Sequence, residues 1–210
     1  MGADPETKTI NGAEQTEQET GQCKEFTKTN FTLILYKNRI DYVLSYRPID
    51  DETLLSPSIG DYESAIYFLK GIALRNAASK RKVVRLAVAG SIISAAADND
   101  EALRKLATSM DGVSLAEGFE DLQVRVNFPR KSEVIQAIRI NRLTTWSAIR
   151  FGALLLGQPD AHRPSNLSKP HAQCVLDVNI ALQPKPVPAA KVPALVDELI
   201  ATARTVMRAG

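Results

Sequence analysis

Residues 122–150 read LQVRVNFPRKSEVIQAIRINRLTTWSAIR, and how this run is folded decides the architecture around it. From Arg125 to Arg150 it carries Arg125, Arg130, Lys131, Arg139, Arg142 and Arg150 against a single acid, Glu133. Its first part alternates strictly. Leu122, Val124, Val126 and Phe128 face one way and Gln123, Arg125 and Asn127 the other, the period of a half-exposed strand that Pro129 stops. After the proline, Ser132 stands where a helix N-cap would, and Ile135, Ile138, Trp146, Ile149 and Leu156 predict a long helix ended by Gly157 and Pro159.

On such a helix Arg139, Arg142, Trp146 and Arg150, spaced 3, 4 and 4 apart, fall along one face. Successive guanidinium forks suit a row of phosphates, and an indole between them could stack on an unpaired base. The competing reading places Trp146 in the core beside Ile149 and leaves the arginines as a solvated edge. With Arg130 and Lys131 just ahead of the helix, the expectation is a polyanion-binding surface. Lys80, Arg81 and Lys82, followed by Arg85, form a second basic cluster that suits RNA phosphates or anionic lipid heads. Whether the two clusters share a face is beyond the reach of spacing.

Working outward, residues 1–25 are rich in Glu, Thr, Gln and Gly and poor in large apolar side chains, a composition that predicts a flexible acidic tail. The first 60 residues carry 6 basic and 10 acidic side chains, so the formal charge of +2 hides an acidic arm on a mildly basic body. Phe31, Leu33 and Leu35, then Ile40, Tyr42, Leu44 and Tyr46, alternate on either side of a short polar break and predict a hairpin over 30–46. Ser58 and Asp61 precede a helical face of Tyr62, Ile66, Leu69 and Ala73. Residues 83–97, dense in Ala, Gly and Ser, read as a buried central helix, with a strand over 83–89 as the alternative. Asp98 and Glu101 have capping-box spacing ahead of Leu103, Leu106 and Met110. Cys174, Leu176, Val178, Ile180 and Leu182 alternate as a further strand over 174–182.

The expected fold is therefore α+β, with about four short antiparallel strands (the hairpin 30–46 and strands 122–128 and 174–182) packed with about five helices. A compact domain spans 26–182. QPKPVPAAKVP at 183–193 is a stiff connector, and 194–210 is an amphipathic helix. Leu195, Leu199 and Val206 on that helix could cover its own domain or dock on a second copy as an oligomerisation surface.

Catalytic signatures are missing: there is no GxSxG, HExxH, P-loop or GxGxxG. His162 and His171 lie nine residues apart, wider than paired zinc ligands favour, and no metal or cofactor is expected. Cys23 and Cys174 form no CxxC, so reduced thiols in a cytosol-like, non-secretory compartment are expected. The longest apolar run is too short for a membrane span. In element order alone the succession loosely resembles viral matrix and nucleocapsid subunits. The basic face, the acidic arm, the compact α+β body and the last helix together lead to the expectation of a non-enzymatic, self-associating structural protein, plausibly viral, whose basic face meets RNA or an anionic membrane surface. An adaptor module docking through its helices, without polyanion binding, is the second reading. A small enzyme with a distributed site, bringing His162 or His171 beside a carboxylate, is the third.

Overall fold

The computed structural model describes residues 8–10, 13–22, 26, 29–36, 40–46, 58–77, 82–110, 122–151 and 169–208. The chain divides into two compact units, one built from 1–53 and 57–76, the other from 54–56 and 77–210. Strand predominates over helix in both.

In the first unit, β1 (Lys8–Ile10), β2 (Ala13–Gln22), β3 (Thr29–Tyr36) and β4 (Ile40–Tyr46) form one antiparallel sheet in sequence order. The hairpin's register pairs Leu35 with Ile40, Leu33 with Tyr42 and Phe31 with Leu44, so each apolar residue meets an apolar partner on the same face. The turn between these strands lies outside the described residues. Part of the run expected as a flexible tail is strand. β2 pairs along β3 from Gln15–Tyr36 to Gln22–Asn30, and Thr20 and Thr32 hydroxyls meet at 3.1 Å. Polar strand residues need little burial when a neighbouring strand satisfies their backbone.

Helix α1 (Tyr62–Ala77) completes the unit. Asp61, rather than Ser58, holds its start: one carboxylate oxygen accepts from the Ser64 backbone N–H and hydroxyl, both at 2.8 Å. Phe68 sets its edge against Phe31 and Phe26, with ring centres 6.1 and 5.6 Å away, which ties the helix to the sheet.

The second unit is a sheet with strand order β5 (Ala87–Ala95), β9 (Lys169–Ile180), β8 (Arg139–Phe151), β6 (Gln123–Asn127), and the two-residue β7 (Arg130–Lys131) pairs with the start of β8. All pairings are antiparallel. Helices α2 (Asn99–Thr108) and α3 (Val192–Arg208) pack on it. Among the described residues there are thus three α-helices and nine strands, not about five helices and four strands.

Two segments account for the difference. The expected long helix after Pro129 is a turn followed by β8. Ile140, Thr144, Trp146 and Ala148 share one side at period two, and the β-branched pair Thr144-Thr145 suits a pleat better than a helix. Ser132 does cap, but only a turn: its hydroxyl accepts from the N–H groups of Val134 and Ile135 at 3.1 and 3.0 Å. The run 83–97 is likewise not a buried helix. It contains β5, a half-exposed strand that pairs with β9 alone among the described strands. Small side chains permit close helix packing and an uncrowded sheet edge equally well.

The register sorts the second sheet into two faces. Ile140, Thr144, Trp146 and Ala148 of β8 stand beside Ile180, Leu176, Cys174 and Ala172 of β9, with Val124 and Val126 next to them on β6. Helix α2 covers one end of this face through Leu103, Leu106 and Met110, which cluster with Ala172, Leu122, Val124, Trp146 and Ala148. Asp98 caps α2, accepting from the Glu101 N–H at 2.8 Å, and the Glu101 carboxylate accepts from the Ala97 N–H at 2.7 Å. Helix α3 packs on β5, β8 and β9. Its Leu195, Leu199 and Ala203, and the sheet's Ile140, Leu176, Val178 and Ile180, are each at most 1% exposed. The last helix is therefore docked on its own unit, and Leu195 and Leu199 are spent in its core rather than offered to a second copy. Val206 is half-buried.

Candidate nucleic-acid interface on the helix-free face

Arg130 fixes which face α3 covers. It pairs with Ile140 across β7 and β8, and its guanidinium reaches α3, donating to the Glu198 carboxylate and the Thr202 hydroxyl, both at 2.8 Å. The other oxygen of Glu198 accepts from the Ser132 hydroxyl at 2.6 Å, and the Glu133 N–H donates to Glu198 at 2.7 Å. Burial pushes the Glu198 carboxyl up, but the bonds from Ser132, Glu133 and Arg130 outweigh it and hold the group below its ordinary 4.5. This network staples the turn at 132–138 to α3. It consumes Arg130 and satisfies a buried charge, so Arg130 is a structural residue rather than a free cation.

The remaining basic residues separate by strand period. Arg142 lies on the helix-covered face beside Val178, and its Nε donates to the Phe128 carbonyl. Arg150 shares that face at the far end of β8, paired with Pro170, and is exposed. Arg139 points to the opposite face, exposed, next to exposed Lys131. The expected stripe of Arg139, Arg142 and Arg150 therefore does not form, because residues three apart on a strand face opposite ways. Trp146 does not stand between them as an open plate. It is half-buried in the α2 cluster, and its indole N–H is buried with no hydrogen-bond partner among the described residues. Lys82 is exposed ahead of β5, and Lys80 and Arg81 lie outside the described residues.

What the register brings together is another set. The opposite face, on which no helix of the described residues packs, carries Arg125 on β6, Lys131 on β7 and Arg139 on β8, all exposed. Between them runs a chain of amides. Asn127 donates to Asn141 at 3.5 Å, Asn141 to Asn179 at 3.0 Å, and Asn179 to the Asp177 carboxylate at 2.9 Å. A second row joins Ser147, Gln173 and Ser91: the Ser147 hydroxyl donates to Gln173 at 3.4 Å, and Gln173 donates to Ser91 at 2.8 Å. Arg125 pairs with Thr145, six residues along β8 from Arg139. At ~3.3 Å per residue the basic groups span roughly 20 Å, a spacing for an extended polyanion rather than one phosphate.

Apart from Arg125, on the exposed side of an expected strand, the helix expected over 132–156 hides this face in the sequence. The signal was present as the polar complement of each apolar alternation, in Arg139, Asn141, Thr145 and Ser147, and in Gln173, Asp177 and Asn179.

The other candidates are placed plainly. His171 lies in β9, only 1% exposed, with Nδ1 2.9 Å from the Lys169 carbonyl, and His162 lies outside the described residues. Among the described residues no three His, Cys, Asp or Glu side chains gather as a metal-holding group, and no helix is long and apolar enough to cross a membrane. Burial pushes the Cys174 thiol up, which disfavours the reactive thiolate; Cys23 lies outside the described residues. A cleft of about 320 Å³ at the β7–β8 turn is lined by Pro129, Lys131, Gln136, Ala137 and Arg139. It holds no carboxylate and no histidine. Comparison with known protein families, curated proteins and solved structures finds no match.

Proposed function

We propose that this chain is a non-enzymatic structural protein that lays the helix-free face of its second sheet on single-stranded RNA. One observation carries the reading. Arg125, Lys131 and Arg139 are exposed on one face along a chain of amides, while Arg130 and Arg142 are tied down on the other. Cations in a row supply sequence-independent attraction to phosphates, and amides and hydroxyls suit ribose hydroxyls and base edges. The matrix-like order of elements does not support the reading, because the small-residue run 83–97, expected as a helix, contains the strand β5.

Anisotropy of a labelled single-stranded RNA, titrated at several salt concentrations, tests it. Replacing Arg125, Lys131 and Arg139 together by Gln weakens binding and flattens the log–log salt slope by about 2, at ~0.7 per lost phosphate contact. Replacing Arg142 alone leaves both unchanged. Equal binding and slope for the triple variant and the unmodified protein would falsify the proposal. Binding to anionic vesicles without binding to RNA would assign the face to lipid instead.

A further inference from the structure

We infer that the free edge of β5 pairs with β5 of a second copy, antiparallel across a two-fold axis centred on Ser91, joining two sheets into one. This goes beyond RNA contact and uses a different surface from the last helix.

The ladder shows which backbone groups are free to do it. The Ala96 N–H donates to the Pro170 carbonyl at 3.0 Å and the Ile180 N–H to the Leu86 carbonyl at 3.0 Å, at the two ends of the β5–β9 register. Hydrogen-bonded pairs alternate along an antiparallel ladder, so residues 88, 90, 92 and 94 turn their N–H and C=O toward β9. Ala89, Ser91 and Ile93 turn theirs outward, and no described strand pairs with them. At the end of the edge, Ala95 is closed off: its carbonyl accepts from the Lys105 ammonium at 2.6 Å.

Natural sheets guard such edges with charges, prolines or bulges. β5 reads AVAGSIISA and has none of these, and Ala87, Ala89, Ser91, Ile92, Ser94 and Ala95 are all exposed. The strand also complements itself. Centring the pairing on Ser91 sets Ala89 against Ile93 of the second copy and Ser91 against Ser91. On the other face it sets Ile92, 39% exposed, against Gly90, which has no side chain of its own. The large residue of each copy thus meets the smallest residue of the other, and no charge is buried. A self-complementary patch closes as a dimer rather than growing into a filament.

The test reads mass and amide exchange on the full chain. Light scattering of the unmodified protein gives twice the 22.9 kDa chain mass, falling to the chain mass on dilution. Ser91→Lys places two ammonium groups opposite each other and gives the chain mass at every concentration, as does Ser91→Glu. An equimolar mixture of the two variants restores the double mass. In the unmodified protein the amides of Ala89, Ser91 and Ile93 are protected from hydrogen exchange when concentrated and lose protection on dilution, while those of Val88, Gly90 and Ile92 stay protected throughout. This second measurement decides the matter if a variant fails to fold. Concentration-independent exchange at 89, 91 and 93 overturns the inference, as does a Ser91→Lys variant that dimerises like the unmodified protein. An unmodified protein that stays at the chain mass overturns it too, without touching RNA binding.

Discussion

The two faces of the second sheet are built from the same strands, one residue apart, and end in opposite chemistry. On β9, Leu176 is 1% exposed beneath the helices, while its neighbour Val175 is 38% exposed on the helix-free side. On β8, Ile140 is fully buried and Arg139 is exposed. The covered face holds the unit together through burial, and the Arg130–Glu198 network anchors α3. The helix-free face holds polar groups that satisfy one another and leave cations at the rim. Period-two alternation lets a single strand take part in a core and in an exposed polar surface at once.

The contrast breaks most visibly at Leu176. Leu176→Ala removes buried methyl groups from a site with no room to relax and costs about 2–5 kcal/mol, read as a lower midpoint in denaturant unfolding. Next comes the staple. Glu198→Gln leaves Arg130 and the Ser132 hydroxyl without their anionic acceptor and costs about 1–3 kcal/mol at neutral pH. The pH dependence follows the direction of the shift. The folded-state carboxyl titrates below its ordinary 4.5, so its stabilisation is complete above that value and is lost as pH falls through the folded-state value. Unfolding curves for the unmodified protein and Glu198→Gln therefore converge below about pH 4.5 and stay apart above it. Smallest is Val175→Thr, on the same strand and exposed, which shifts stability by no more than about 0.5 kcal/mol. Were Val175→Thr to cost as much as Leu176→Ala, the helix-free face would itself be a core.

Much of the fold was legible wherever one face was uniformly apolar. The hairpin of β3 and β4, the strand β6, the capped helix α2 and the amphipathic helix α3 all follow from clean periodicity. The failures have physical causes. β8 mixes its faces: Arg142 sits on the covered side, satisfied by the Phe128 carbonyl, and Leu143 and Ile149 sit on the other. Each blurs the alternation, and Ser132 adds a capping signal that serves only a turn. β5 carries small residues with little preference between helix and strand, and as an edge strand it needs no apolar face of its own. For the candidate site, the presence of a basic cluster near 125–150 could be read from charge alone. Which arginines share a face could not, because that depends on whether the period is 3.6 or 2.

The strict pleat of β8 also sets where this gene can change length. The strand is flanked by β9 along its whole run and by β6 and β7 along parts of it, so one inserted residue within 139–151 would turn every later side chain over. Trp146 and Ala148 would swing out, and polar Thr145 and Ser147 would be driven under α2. Insertion at Gln136 and Ala137, exposed turn residues outside the bonds made by Ser132 and Glu133, leaves that register unchanged. Length variants arising there are expected to persist, while frame-preserving insertions inside β8 are expected to be purged.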